Sequence, residues 1–313
     1  MDTAIPRLGV VLVPYTGSLE GATPTWPDLL AAARLAEDIG FDSVWIPDHL
    51  MFRSEHGTGG AWESTTLLAA MGAATRSITL GSAVIATSFR NPALLAKIAA
   101  TVDEITGGRF VLGIGAGWNE VEFRAYGYPT DHRVTRFSEA LHIITGLLRN
   151  GSVDFEGRFH VARECVLEPR RAGTGPPIMV GTLGQRMMGI AAEYADRWNA
   201  WLPRGGVGSP ASSMPEALVP LLARIDEACL AAGRDPSTLE RSAAVAVDTG
   251  GSASGLVSQW GEVLAGTPEE LAQRIREFGA LGVGELMLAL DPPGPVGIER
   301  IAPVLGLLAE NRP

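Results

Sequence analysis

The sequence predicts an α/β fold: a single (β/α)8 TIM barrel with insertions in its loops, spanning residues 1–313 as one domain. Three observations carry this. Strand and helix signals alternate from one end of the chain to the other, giving eight strand–helix pairs in 313 residues, an ordinary size for one closed barrel. Most strand candidates are continuous apolar runs, as expected of parallel strands covered on both faces. No glycine-rich dinucleotide fingerprint follows the first strand, where Val13-Pro14-Tyr15-Thr16-Gly17 stands instead, which argues against a doubly wound open sheet.

Residues 8–13 form the first apolar run. Residues 27–40 follow with helical spacing: Leu29, Ala32, Ala33, Ala36 and Ile39 share one face, and Gly40 supplies the stop. The second strand is 43–47, the second helix 63–75 with Leu67, Leu68 and Met71 on one face, and the third strand 78–85. Pro92 stands where a first helical turn tolerates proline, and that helix runs to Thr106, before the Gly107-Gly108 turn. The fourth strand is 110–114, followed by a helix over 133–149; the fifth is 178–181, followed by a helix over 185–194. Residues 197–201 are the sixth strand, and 215–232 a helix ended by Gly233. Residues 241–247 alternate as a seventh strand, and the helix over 268–279 opens on Thr267 with Glu270 completing a capping box. Residues 284–290 and 298–308 supply the last strand and helix.

Segments 14–25, 50–61 and 118–132 are too long for plain connectors and follow strands, so a barrel places them at its C-terminal face, where active sites are built. Segment 150–176 follows a helix and reads as a decorating insertion, and 202–214 is a loop rich in Gly, Ser and Pro. With 46% hydrophobic but only 6% aromatic residues, the core must rest mainly on Ala, Val, Leu and Ile. A net charge of −10 argues against a nucleic-acid partner, which needs a basic face. Cys165 and Cys229 lie far apart, without metal-ligand spacing, and read as free thiols in a reducing compartment. With neither a signal-peptide pattern nor a membrane-length apolar run, the expectation is a soluble, cytoplasmic protein without membrane contact.

Several residues could carry chemistry. Asp48 and His49 end the second strand, where a carboxylate and an imidazole can orient a ring and exchange a proton near neutral pH. Gly113-Ile114-Gly115-Ala116-Gly117 lets a backbone approach a flat ligand, although glycines at strand ends also serve tight turns. Gly181-Thr182-Leu183-Gly184 joins the fifth strand to a helix start, where free N–H groups favour a phosphate; the alternative is an ordinary strand–helix turn. The histidines His49, His56, His132, His142 and His160 are scattered, so no metal site is expected. Neither a Gly-x-Ser-x-Gly elbow nor a Walker-type loop is present.

Taken together, these segments resemble the bacterial luciferase-like oxidoreductases. The likeness rests on Phe41-Asp42-Ser43-Val44-Trp45 with Asp48-His49-Leu50, on Ile78-Thr79-Leu80-Gly81-Ser82-Ala83-Val84 with Arg90-Asn91-Pro92, and on Leu94-Leu95-Ala96-Lys97. It continues through Gly107-Gly108-Arg109-Phe110 up to Gly117-Trp118, Pro176-Pro177-Ile178-Met179-Val180-Gly181, and Gly266-Thr267-Pro268-Glu269-Glu270-Leu271. The resemblance implies a barrel holding coenzyme F420, or alternatively FMN, at its C-terminal mouth and acting on a small-molecule substrate. The branch most resembled is the F420-dependent one, with hydride transfer as its chemistry. An FMNH2-dependent monooxygenase fed by a separate flavin reductase, and a non-catalytic flavin-binding barrel, are the alternatives. By position, Asp48 and His49 match polar residues beside the reactive ring, and His49 matches an acid/base of some members. Ala83-Val84 matches a strand bulge that often contains a non-proline cis peptide behind the ring. Gly115, Ala116 and Gly117 match backbone contacts along the cofactor, and Gly181, Thr182, Leu183 and Gly184 match its phosphate site. A glutamate stands at the Trp118 position in the sugar-phosphate dehydrogenase branch; the indole argues against that activity and is expected to pack on substrate or cofactor. Barrels of this kind often pair, which leaves a homodimer open.

Overall fold

A computed structural model describes residues 5–54, 57–202, 214–250 and 263–310. Eight parallel strands close into a barrel: β1 (Arg7–Val11), β2 (Ser43–Ile46), β3 (Thr79–Ser82), β4 (Phe110–Gly115), β5 (Ile178–Gly181), β6 (Arg197–Trp201), β7 (Glu240–Asp248) and β8 (Glu285–Asp291). Each pairs with its neighbour in sequence, β4 with β5, and β8 returns to β1 through Leu8 opposite Leu286. The helices between them are α1 (Trp26–Ile39), α2 (Ser64–Ala74), α3 (Pro92–Thr106), α4 (Arg133–Thr145), α5 (Gln185–Tyr194), α6 (Met214–Ala231), α7 (Pro268–Ala280) and α8 (Pro295–Ala309). The (β/α)8 expectation therefore holds.

The ends of the elements follow their sequence signals. Gly40 adopts φ 98° as the C-cap of α1, and the Thr267/Glu270 capping box opens α7. Two long segments contain structure that the sequence reading left out. Within 50–61, Met51–Ser54 pairs antiparallel with Gly57–Gly60; within 150–176, Ser152–Glu156 pairs with Val161–Val166. Segment 118–132 contains a short helix, Glu120–Tyr126. Apart from its ends, the loop read at 202–214 lies outside the described residues, as does His56.

The main core lies between strands and helices, where Val10, Val44, Leu80, Leu112 and Val180 meet Leu29, Leu68, Met71 and Leu95. A second apolar cluster fills the barrel interior, with Trp45, Val111, Met179 and Met287 among its members. The Trp45 indole takes its room from glycines on both neighbouring strands. A Cβ on Gly9 would lie 2.5 Å from Nε1, and one on Gly81 2.2 Å from Cζ3. Below it, the buried Glu285 carboxylate accepts from Trp45 Nε1 at 3.1 Å, from Ser43 Oγ and from Arg197 Nη1 at 2.9 Å. Arg7 adds an ion pair at 3.4 Å. The N-terminal end of the barrel is thus plugged, and any cavity must open at the other end. Among the described residues, no helix is long and apolar enough to cross a membrane.

Candidate active site

At the C-terminal ends of the strands lies a cavity of about 750 Å3, within the range of small-ligand sites. Its wall brings together residues from six strand ends, with Val11 and Tyr15 coming from the end of β1. His49 and the edge of Asp48 come from the end of β2, and Ala83 and Val84 follow β3. Gly115, Ala116, Gly117 and Trp118 come from the end of β4, and Gly181, Thr182 and Leu183 from that of β5. Gly184 is not on the wall; it is the N-cap residue of α5. Asn199 and Trp201 of β6 also line the cavity.

The Ala83–Val84 peptide is cis, as the resemblance implied. It interrupts the third strand: β3 ends at Ser82, and Ile85–Ala86 resumes pairing with β4. The Val84 side chain sits between two glycines. A Cβ on Gly115 would lie 2.8 Å from Val84 Cγ2, and one on Gly181 2.9 Å from Val84 Cγ1. Both glycines therefore have a packing reason as well as the backbone access expected of them. Past Gly181, the Thr182 N–H donates to Asn199 O at 3.1 Å and the Gly184 N–H to Thr182 Oγ1 at 3.1 Å, so the loop is folded onto the N-terminus of α5.

Asp48 is buried and its carboxylate is saturated. Arg90 grips both oxygens, Nη1 to Oδ2 at 2.7 Å and Nη2 to Oδ1 at 2.8 Å. Ser64 Oγ donates to Oδ1 at 2.6 Å and the Ala86 N–H to Oδ2 at 3.1 Å. This one side chain ties the end of β2 to α2, to the strand beyond the bulge and to Arg90. Glu63, which caps α2 through the N–H groups of Thr65 and Thr66, also pairs with Arg90. Burial would raise the Glu63 carboxyl, but hydrogen bonds from Thr66, Arg90 and Thr65 outweigh it and hold the value at about 2. Burial alone would lower the Arg90 guanidinium; Asp48 and then Glu63 reverse this and raise it above its ordinary value.

His49 has a different partner, one the sequence reading missed. Its Nδ1 lies 2.7 Å from Oε1 of Glu122, whose side chain is buried completely. Glu122 also accepts from the Leu50 N–H at 2.7 Å, through Oε2, and from Asn119 Nδ2, whose amide further donates to Met51 O at 3.0 Å. With the Leu50 N–H and the Asn119 amide donating to it, the Glu122 carboxylate is placed to accept a third hydrogen bond from Nδ1–H. The imidazole is thereby set as the tautomer whose Nε2 carries a lone pair. The ring stands among aromatic neighbours: Phe52 at 4.6 Å, Trp118 at 5.6 Å and Tyr15 at 5.8 Å between centroids. Burial, then Glu122 and Asp48, push the Tyr15 phenol well above its ordinary value, so it stays neutral. Trp118 is 69% exposed, a rim side chain with most of its surface left to cover. Nothing in Trp118-Asn119-Glu120-Val121-Glu122 distinguishes Glu122 from Glu120 except the helical turn that carries one inward and one outward. Among the described residues, no group of three or more His, Cys, Asp or Glu side chains could hold a metal.

The fold has counterparts among known proteins. The F420-dependent secondary alcohol dehydrogenase solved with an F420–acetone adduct superposes with a TM-score of 0.79 at 19% identity, covering 97% of this chain and 99% of that one. EDTA monooxygenase (EmoA) from Chelativorans sp. BNC1 gives 0.79 at 14%, covering 97% and 94%. In sequence, 5,10-methylenetetrahydromethanopterin reductase of Archaeoglobus fulgidus is 29% identical over 84% of this chain and 89% of its own length. Pyrimidine monooxygenase RutA of Escherichia coli is 31% identical over 81% of this chain and 75% of its own. The sequence profile of the luciferase-like monooxygenases matches residues 7–254, and the chain belongs to that family.

Proposed function

We propose that this chain is an oxidoreductase that binds the deazaflavin coenzyme F420 in the cavity and moves hydride to or from a small organic substrate at His49. One observation carries the reading. The Glu122-oriented His49, the Val84 bulge and the α5 N-terminus border a single cavity. The residues present fit such a group. Gly115, Ala116 and Gly117 offer backbone to a flat ring, Val84 gives it an apolar rest, and the N–H groups opening α5 suit a phosphate. When bound, the deazaflavin supplies the hydride acceptor or donor. The chain's own part is orientation and proton handling. Nε2 of His49 takes the hydroxyl proton from an alcohol, or returns it to a carbonyl oxygen, while Glu122 steadies the charged ring. Asp48, with both oxygens engaged, acts as a positioning residue beside it.

The likeness to pyrimidine monooxygenase RutA favours a second reading, an FMNH2-dependent monooxygenase supplied by a separate flavin reductase. The test is a titration of the protein with F420 and with FMN, followed by ring absorbance. Saturable binding of F420 is expected; tight FMN binding with no affinity for F420 overturns the first reading in favour of the second.

A further inference from the structure

We infer that the substrate taken up beside His49 is an uncharged, flat, largely apolar molecule with a single reactive oxygen, an aromatic or conjugated ketone or the corresponding alcohol, and that the site rejects anions. This rests on the oxidoreductase reading and names its substrate class. The space around His49 is walled by Tyr15, Phe52 and Trp118. Their faces suit stacking, and the polar atoms they carry, the Tyr15 hydroxyl and the Trp118 indole N–H, are neutral. Among the described residues, the cavity lining includes neither lysine nor arginine. Among the described residues, Arg90 and Arg133 stand near the cavity and are engaged elsewhere. Arg90 is committed to Asp48 and Glu63. Arg133 holds the Trp118 carbonyl at 3.3 Å and lies 5.9 Å over the Phe123 ring.

The fixed charge is on the other side of the balance. Asp48 and Glu63 share the guanidinium of Arg90, and Glu63 is partly screened by solvent. Glu122 is the important one: it lines the cavity, is buried, and accepts from two neutral donors beside the His49 ring, with no arginine or lysine paired to it among the described residues. An anionic substrate would bring a second like charge into this low-dielectric corner. An alcohol or ketone brings none. The reaction also balances for this pair: the alcohol carbon gives up its hydrogen as hydride to the cofactor, and the hydroxyl proton goes to Nε2 of His49. The reverse reaction consumes the same hydride and proton.

Three ligands of one skeleton test this by calorimetry: 2-acetylnaphthalene, 2-naphthoate and a (2-naphthylmethyl)trimethylammonium salt. The ketone should bind at least about tenfold more tightly than the carboxylate, with a gap that narrows at high salt. Glu122→Gln, which keeps the side-chain shape and removes the charge, should narrow the gap too. Equal or tighter binding of naphthoate overturns the proposal, as does a ketone affinity weaker than about 1 mM. A cationic ligand preferred over the ketone by about tenfold would show that the cage reads positive charge instead, and also overturns it. The wild-type ranking stands whether or not the variant folds. The series is run on protein preloaded with F420 and on unloaded protein, with loading followed by absorbance. Failure to load refutes the cofactor reading, whereas a reversed ligand ranking refutes only the substrate class.

Discussion

Replacing Glu122 with Gln should move the proton of His49 from one ring nitrogen to the other. Glu122 Oε1 serves His49 Nδ1 and Asn119 Nδ2, and Oε2 serves the Leu50 N–H. A glutamine offers one acceptor and one donor. If its amide NH2 faced Leu50, it would meet a backbone N–H that cannot change its character, across the 2.7 Å now spanned by a hydrogen bond. If it faces His49 instead, the imidazole can respond by moving its proton to Nε2 and accepting through Nδ1, and only the Asn119 contact to this side chain is lost. The second arrangement wins because the imidazole can change its character and a backbone N–H cannot. A histidine with Nε2–H towards the cavity is no longer a base in its neutral form. Turnover should fall about 10²–10⁴-fold, the worth of a positioned acid/base. Affinity for the cofactor should be unchanged. The cost in stability is about 1–3 kcal/mol for one weakened buried hydrogen-bond set, and Glu122→Leu, which strands the Leu50 N–H and the His49 Nδ1–H together, should cost more. The direct assay is nitrogen-15 NMR of the His49 ring, which distinguishes the two tautomers without a substrate. An unchanged tautomer in the Gln variant, or a turnover within threefold of wild type, refutes the assignment of Glu122 as the group that orients His49.

The other predictions follow from neighbouring geometry. His49→Ala should lower turnover by about 100-fold or more while leaving the F420 titration in place; full turnover removes His49 from proton transfer. Gly181→Ala would put a Cβ 2.9 Å from Val84 Cγ1, so the bulge should shift into the cavity and cofactor affinity should fall about tenfold, or 1.4 kcal/mol. Adding Val84→Ala should restore it, and failure of that rescue shows that the glycine serves ligand contact alone. Gly81→Ala, with a Cβ 2.2 Å from the Trp45 ring, should cost about 1–3 kcal/mol or more in thermal or denaturant unfolding, partly recovered by Trp45→Phe. Glu37 should shape the acid limb of stability. Burial would raise its carboxyl, but N–H donors from Ser77, Ile78 and Arg76 outweigh it and lower the value from 4.5 to about 2. A folded value below the unfolded one stabilises above pH 4.5 and is lost as pH falls from there towards 2. Glu37→Gln should lower Tm at neutral pH and flatten its decline in that window, and Tm–pH curves parallel to wild type would refute this.

The barrel was legible because its outer layer is periodic and its caps are local. Pro92, Gly40 and the Thr267/Glu270 pair each mark an element end through chemistry confined to one turn, and the helices begin or stop there. β7 is a strand, as its alternation indicates, but alternation there does not mark burial. Its sequence alternates, which suggests one wet face, yet Ser242, Ala243, Ala244, Val245, Ala246 and Val247 are all buried. Ala244 and Ala246 of that strand face the barrel interior, where large side chains such as Trp45 and Met287 share the volume, so smallness there reflects space and not solvent. The hairpin at Met51–Ser54 and Gly57–Gly60 left no period-2 apolar signal because it carries little buried surface. The candidate site was legible at its strand ends, where Asp48, His49, Val84 and Gly115 stand, and illegible where a partner arrives from a loop. Glu122 lies 73 positions beyond His49, and only the three-dimensional path of segment 118–132 brings it under the ring.

The two ends of the barrel treat buried charge in opposite ways, and the contrast supports the proposed site. At the closed end, Glu240 and Glu285 meet Arg7 and Arg197 in a four-membered network whose charges cancel. Such an arrangement repays part of its desolvation by geometry and leaves no field behind it. At the open end, Arg90 neutralises one carboxylate, while Glu122 is buried against two neutral donors and an imidazole. Pairing Glu122 with a second arginine would cancel the charge, but it would take from His49 the acceptor that fixes its proton. An uncompensated carboxylate costs stability, and it is found where a ring nitrogen must face the cavity with its lone pair free. The same surplus of negative charge excludes anions from the aromatic corner. Orientation of the base and choice of substrate are therefore two consequences of one buried residue, and the Gln variant should weaken both together.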